Sequence, residues 1–324
     1  MDYRAEETTI NTRMKGTFYI IAVLSAAVLA GSCARETDES DESIQDRIVQ
    51  AYVETHYPDA RALSSGIYVV DSIPGSGTAP EDTSYVLVDY TVTDLSGNYI
   101  SYTYDSIAKQ LGTFTYSGYY YPIIWSLRDN DNGFIQMITG MKEGGMLKAV
   151  VPGHIIDEES SRIYEIYLHE VIGNAYLYQI AQMEEYADKY YKGLDSTDYG
   201  FYFRKISAST DSITGGHYVD VNYVGKFLDG TVFDTNIEDT ARKYRIYNPE
   251  NEYSPISYQF FANEDEAVET NDYVQGFSKA IWRMKYGEHA KTFFYSTLGY
   301  GDEGNESIPG FVPLFFEIWT LEDE

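Results

Sequence analysis

The sequence predicts a tandem of two α+β domains, each an antiparallel β-sheet wrapped around a short α-helix. Three observations carry this. A strand–turn–strand block occurs twice, at residues 85–103 and 218–236, and the two align without a gap, Tyr90 on Tyr223 and Gly97 on Gly230. Downstream landmarks keep the same order: Ala108-Lys109-Gln110 answers Ala241-Arg242-Lys243, Pro122-Ile123 answers Pro255-Ile256, and Met141-Lys142-Glu143-Gly144 answers Met284-Lys285-Tyr286-Gly287. Within each half, period-two alternation dominates and one helical stretch follows a Gly-Phe pair, Gly133-Phe134 and Gly276-Phe277. A period of about 130 residues is too long for a solenoid unit and suits a duplicated domain. A chain of 324 residues has room for two cores.

The elements follow in order. Residues 18–30 are apolar, preceded by Lys15, and too short for the ~20 helical residues that span a bilayer. They fit the h-region of a secretory signal peptide over 1–33, with translation starting at Met14 because Asp2, Glu6 and Glu7 spoil a positive n-region. Cys33 is the only cysteine, so no internal disulfide can form. Residues 34–43 are acidic and Ser-rich, the composition of a disordered tether. Ile44, Ile48, Ala51 and Tyr52 then mark one face of a helix opening the first domain, 44–172. Strands are expected at 66–70, 85–90 and 163–168. A helical linker spans 173–196, with Tyr176, Ile180, Met183 and Ala187 on one face. The second domain, 197–324, carries strands at 201–203, 218–223 and 314–321 and its helix near 276–284.

The charge excludes some partners. With 51 acidic and 23 basic side chains the net charge is −28, a surface that repels nucleic acid and anionic lipid. The 33 tyrosines suit β-structure and aromatic-lined grooves. Metal chemistry finds no support. The histidines His56, His154, His169, His217 and His289 lack ligand spacing. Asp129-Asn130-Asp131-Asn132-Gly133 starts like a calcium loop, but its glycine is one place early and its twelfth position is Gly140 rather than glutamate. Phosphate loops and nucleophile elbows are absent, so no cofactor is expected.

The second half resembles the FKBP-type peptidyl-prolyl cis-trans isomerases over about residues 197–323. The resemblance rests on residues 221–235, on Val274-Gln275-Gly276-Phe277, Met284-Lys285-Tyr286-Gly287, Leu298-Gly299-Tyr300-Gly301 and Ser307-Ile308-Pro309, and on residues 313–318, blocks in the right order. It implies two FKBP-like domains. In the second, Tyr223, Phe233, Asp234, Tyr300 and Phe316 are the implied catalytic residues. Val274, Phe277, Ile308 and Tyr258 are implied to bind substrate, with Phe260 as the alternative to Tyr258. Proline-containing polypeptides are the implied clients. The pocket-floor position, often tryptophan in the family, is Phe277, and the stretches 236–258 and 262–271 are enlarged.

The first half departs from the pattern at the chemistry. Phe233-Asp234 becomes Ile100-Ser101, Tyr164 stands for Phe316, and the segment between Val151 and Arg162 is about nine residues shorter than its counterpart and lacks Leu-Gly-Tyr-Gly. It is expected to fold without isomerising, and Ile100→Phe with Ser101→Asp is not expected to revive it. Leu29-Ala30-Gly31-Ser32-Cys33 resembles a bacterial lipobox, and the acidic run after it resembles the export signals of Bacteroidetes-type lipoproteins. That implies a protein lipidated at Cys33 and anchored in the bacterial cell envelope; with the isomerase resemblance, a monomer assisting the folding of exported proteins is expected. The rival reading is a non-catalytic protein- or glycan-binding lipoprotein.

Overall fold

The computed structural model describes residues 40–128, 133–194 and 198–322, without the side chains of 133 and 134. The leader, Cys33, residues 34–39 of the tether, the Asp129–Asn132 stretch and the Phe134 ring lie outside the described residues. The first half runs α1 (Asp41–His56), β1 (Arg61–Ala62), β2 (Tyr68–Ile73), β3 (Tyr85–Asp94), β4 (Tyr99–Tyr102), α2 (Asp105–Leu111), β5 (Ile123–Ser126), α3 (Gly133–Thr139), β6 (Gly145–Val151), a 3₁₀ turn (Gly153–Ile155) and β7 (Arg162–Ile172). The second runs α4 (Ala175–Tyr190), β8 (Phe201–Ser207), β9 (Tyr218–Phe227), β10 (Val232–Thr235), α5 (Glu238–Lys243), β11 (Ile256–Gln259), α6 (Glu264–Thr270), α7 (Gln275–Trp282), β12 (His289–Phe294), a 3₁₀ turn (Ser296–Leu298) and β13 (Leu314–Thr320).

The two sheets have the same wiring. The first is ordered β1-β2-β6-β7-β3-β4 with β5 on β3, and the second β8-β12-β13-β9-β10 with β11 on β9. Apart from the two-residue β1 the orders coincide, and every pairing is antiparallel. The ladders agree residue by residue. Tyr90 faces Ile166 and Val92 faces Tyr164; Tyr223 faces Ile318 and Gly225 faces Phe316. Register slips would move every side chain to the other face, so this agreement ties Tyr164 to Phe316 in space. In both β3–β4 and β9–β10 the register also shifts at one residue, Ile100 and Phe233. A bulge of this kind re-aims the side chain that occupies it.

Each sheet lies between two helices. Inside, α7 buries Phe277, Ala280 and Ile281 against Val221, Phe294, Leu314 and Ile318, while Met137 and Ile138 of α3 pack on Val86, Val88, Ile166 and Leu168. Outside, α4 lays Met183 and Ala187 on Tyr202, Phe293 and Phe315, and α1 lays Val49 and Val53 on Val150 and Ile163. Burying a side chain of this size contributes roughly 1.5–3 kcal/mol, so these outer helices are structural members of each domain.

Three expectations are therefore corrected. Helix α1 starts at Asp41, capped by the Ser40 side chain, so residues 41–43 are helical rather than tether. Its buried face is Val49 and Val53; Ile44 and Ile48 are exposed. And α4 is not a free linker but the second domain's copy of α1.

The equivalence of α1 and α4 extends to one polar hook. Gln45 Oε1 accepts the His154 N–H at 2.7 Å, and Gln179 Oε1 accepts the Ser296 N–H at 2.7 Å. Both tie the outer helix to the 3₁₀ turn after the fifth shared strand. Gln179 is fully buried. Gln179→Leu leaves that amide without its acceptor, and we expect a loss of about 1–3 kcal/mol, read as a lowered urea midpoint.

Candidate functional site

The β9–β10 turn places the first side chains. Tyr223 sits in mid-β9, and the bulge at Phe233 turns that ring inward while Asp234 pairs with Gly225. The Tyr223 hydroxyl donates to Asp234 Oδ2 at 2.6 Å, and Asp234 Oδ1 accepts the Thr235 N–H at 2.8 Å. Behind them Asn236 Oδ1 accepts the Tyr223 N–H at 2.8 Å, its amide donating to the carbonyls of Val221 and Ser254 at 2.9 and 3.0 Å. The carboxylate is thus fixed by a phenol and a backbone amide, and the chain on either side of it is locked by a side-chain amide.

Aromatic rings form the walls. Phe316 on β13 lies 5.0 Å from Phe277 and 5.7 Å, edge-on, from Phe233. Tyr223 meets Phe277 at 5.5 Å in a T-shaped contact. Edge-to-face geometry is preferred because ring edges are positive and faces negative. Val274, the N-cap of α7, has no side-chain cap; its carbonyl accepts the Phe277 and Ser278 amides at 3.0 and 3.2 Å. These residues, with Tyr300 from the loop after the second 3₁₀ turn, line one cavity of ≈ 200 Å³.

Burial, reinforced by the Asp234 charge, pushes the Tyr223 phenol well above the ordinary tyrosine range. Burial and Asp234 raise Tyr300 as well. The sign favours the neutral phenol: a raised pKa keeps the proton on as pH rises through about 10. Tyr223 is therefore a standing donor. We expect its titration, followed by tyrosinate absorbance, to move down in Asp234→Asn, since the charge that raises it is gone.

Seven of the nine residues singled out in the sequence meet here: Tyr223, Phe233, Asp234, Val274, Phe277, Tyr300 and Phe316. Tyr258 and Ile308 do not. Tyr258 is fully buried under α7, its hydroxyl donating to the Ser278 carbonyl at 3.3 Å, and Ile308 is a core residue. Phe260, the alternative to Tyr258, is also in the core. Ile256, two residues before Tyr258 on the same strand face, reaches the cavity instead, as do Asp272 and Tyr273. Gly225 was missed as well. A Cβ there would stand 2.6 Å from Phe233 Cζ and 3.1 Å from Phe316 Cε1. Its signal was in the gap-free alignment, where the first copy has Val92.

The equivalent place in the first domain is a different surface. Tyr90 Oη pairs with Ser101 Oγ at 2.9 Å, where Tyr223 pairs with a carboxylate. The hollow is lined by Tyr90, Val92, Ile100, Trp125, Tyr164 and the ion-paired Glu158 and Arg162, 3.3 Å apart. Ile100, at the bulge, is 49% exposed, so its side chain does not close a wall.

Comparison with protein families matches residues 210–321 to the FKBP-type peptidyl-prolyl cis-trans isomerases. The second half of the chain carries an FKBP-type domain. A short-type peptidyl-prolyl cis-trans isomerase of Methanocaldococcus jannaschii is 36% identical over 89 residues, covering 28% of this chain and 51% of that protein. An FKBP-type 22 kDa peptidyl-prolyl cis-trans isomerase of Escherichia coli is 30% identical over 145 residues, covering 44% and 58%. The chain thus spans little more than half the length of these relatives. Among solved structures, FkpA from Escherichia coli is 23% identical, covers 45% of this chain and 59% of its own, and superposes with a TM-score of 0.33. The matched span begins after α4 and β8, so the family pattern covers the FKBP-type domain's cavity but not the helix on its outer face.

Proposed function

We propose that the FKBP-type domain is a peptidyl-prolyl cis-trans isomerase and that the first domain is not catalytic. The observation that carries this is the Tyr223–Asp234 pair set in an aromatic cavity, opposed to a copy of the same fold in which the carboxylate and the inward phenylalanine are gone. Rotation about an X–Pro bond faces a barrier of roughly 18–20 kcal/mol from amide resonance. It needs neither nucleophile nor metal. A site accelerates it by binding the twisted amide better than the planar one.

The cavity has the parts for that. Its apolar walls exclude water, which hydrogen-bonds the planar amide oxygen strongly and so favours resonance. The proline ring fits among Phe233, Phe277 and Phe316. The Tyr300 hydroxyl is a donor for the carbonyl oxygen of the preceding residue. When resonance is lost the carbonyl carbon gains positive character, and the Asp234 carboxylate faces it, already oriented by Tyr223 and Thr235. Such prepaid orientation costs nothing at the transition state.

Clients are exported polypeptides in the act of folding, and the protein is a monomer held in the bacterial envelope through a lipidated Cys33. Support for that address is the lipobox-like sequence; mass spectrometry of the mature N-terminus tests it, and an unmodified Cys33 would overturn it. The activity is tested on the full chain with a short Xaa-Pro peptide by NMR exchange. Giving the second domain the first one's residues, Phe233→Ile with Asp234→Ser, should bring the rate to background. A rate equal to wild type would remove the assignment.

A further inference from the structure

Residues 112–122 and 245–255 are the same loop in the two copies, between α2 and β5 in one and α5 and β11 in the other. Both contain one aromatic clamp. In the first, Phe114 stacks on Tyr120 at 5.2 Å, Lys109 Nζ lies 4.9 Å over Phe114, and the Thr115 N–H donates to Tyr120 Oη at 3.1 Å. In the second, Tyr247 stacks on Tyr253 at 5.3 Å, the Arg242 guanidinium lies 3.5 Å over Tyr247, and the Asn248 N–H donates to Tyr253 Oη at 2.9 Å. The first domain lacks the carboxylate but has the same clamp.

The loops face each other. The first domain's loop is pinned to the FKBP-type domain by Tyr119, whose ring meets Phe227 edge-on at 5.0 Å, and by Tyr121, whose hydroxyl donates to Asp229 at 2.5 Å. Between the loops lies a cavity of ≈ 460 Å³. Phe233 and Asp234 line it, and they also line the isomerase cavity. The two cavities therefore share a wall.

One cation reaches across this cavity. Arg245 Nη1 donates to Tyr116 Oη of the first domain at 2.7 Å, its guanidinium 5.1 Å from that ring's centroid. Its backbone is left-handed, φ 62°, where the first copy has Gly112 at φ 72°. A residue with a Cβ is disfavoured there. That conformation caps the C-terminus of α5, the Arg245 and Ile246 amides donating to the carbonyls of Arg242 and Ala241, and the guanidinium reaches over the cavity to Tyr116.

We infer that this groove is a second substrate subsite, built by both domains, which holds the residues flanking the proline of an extended polypeptide and prefers an acidic side chain among them. Flat aromatic faces contact the peptide planes, and Arg245 takes the carboxylate. The inference rests on the isomerase reading for its direction, since the chain is taken to run from the Asp234 cavity into the groove.

The test uses the full chain and three peptides: a four-residue Xaa-Pro peptide, a twelve-residue peptide with the same Xaa-Pro and glutamates on both sides, and its lysine counterpart. Isomerisation is followed by NMR exchange, and binding of the labelled long peptides by fluorescence anisotropy. We expect Arg245→Gln to weaken the glutamate peptide about tenfold relative to the lysine one, the field of the net charge of −28 acting on both peptides in either protein. Tyr116→Ala, an exposed residue of the other domain, should reduce the advantage of the long peptide over the short one several-fold in KM. Should Arg245→Gln fail to fold, Tyr116→Ala still decides. Unchanged preferences in the folded variants overturn the subsite. A wild type that binds the long peptide with this dependence on Arg245 and isomerises nothing overturns the isomerase reading instead.

Discussion

Gly225→Val should abolish most of the proposed isomerase activity while leaving the sheet intact. The backbone of Gly225 is ordinary β9 strand, paired with Asp234 on one side and Phe316 on the other, so valine is welcome there conformationally. Its side chain is not. The first added carbon already lies 2.6 Å from the Phe233 ring and 3.1 Å from Phe316, closer than real Cβ contacts allow, and valine adds two methyls beyond it. Phe233 must leave its place, and it is the wall shared by both cavities. Overpacking of this kind costs about 1–3 kcal/mol in stability. Displacing a positioning group by an ångström costs about 100-fold in rate. Activity by NMR exchange and stability by urea unfolding separate the two effects; a variant that keeps wild-type activity would show that Phe233 need not stand where it does. The first domain has made this substitution already, as Val92, and Ile100→Phe would find its place taken.

Asp234→Ala is expected to cost about 10- to 100-fold in kcat/KM, the range of the roughly 1.5–3 kcal/mol carried by a hydrogen bond to a charged group. Asp234 is exposed, so alanine should leave the domain folded although it removes the acceptor of the Tyr223 hydroxyl and the Thr235 N–H. Tyr223 then keeps its hydroxyl in a half-buried place with its acceptor gone. If the effect falls on kcat with KM unchanged, the carboxylate acts on the twisted amide. A pure KM effect would make it a binding group only.

Much of this fold was legible because strands carry a period of two. The duplicated blocks align without a gap, and the ladders honour that alignment down to the bulge, so matching Tyr164 to Phe316 needed only residue counting. Counting fails where two choices share a period. In α1, Ile44 and Ile48 have the spacing of a buried stripe, and so do Val49 and Val53; the sheet beneath selects the second pair. On β11, Ile256 and Tyr258 point to the same side, and only the position of α7 decides which sees the cavity and which is sealed under it. The contact of Tyr119 with Phe227 had no local signal at all. It joins residues of different domains, and a run of tyrosines reads the same whether it faces water or a neighbour.

The duplicated outer helix leaves almost no chain between the halves. Strand β7 ends at Ile172 and α4 begins at Ala175, and Asn174 is already occupied as the helix cap, its side chain accepting from the amides of Tyr176 and Leu177 at 3.0 and 3.1 Å. Gly173 alone is slack. Beside it Phe311 wedges between Tyr85 and Tyr176, 5.4 and 5.8 Å from their rings. The two domains are therefore joined by a short connection with packed aromatic rings beside it rather than by a long linker. On the proposed reading, a chain lying between the two domains has to be extended to fit a cavity of ≈ 460 Å³.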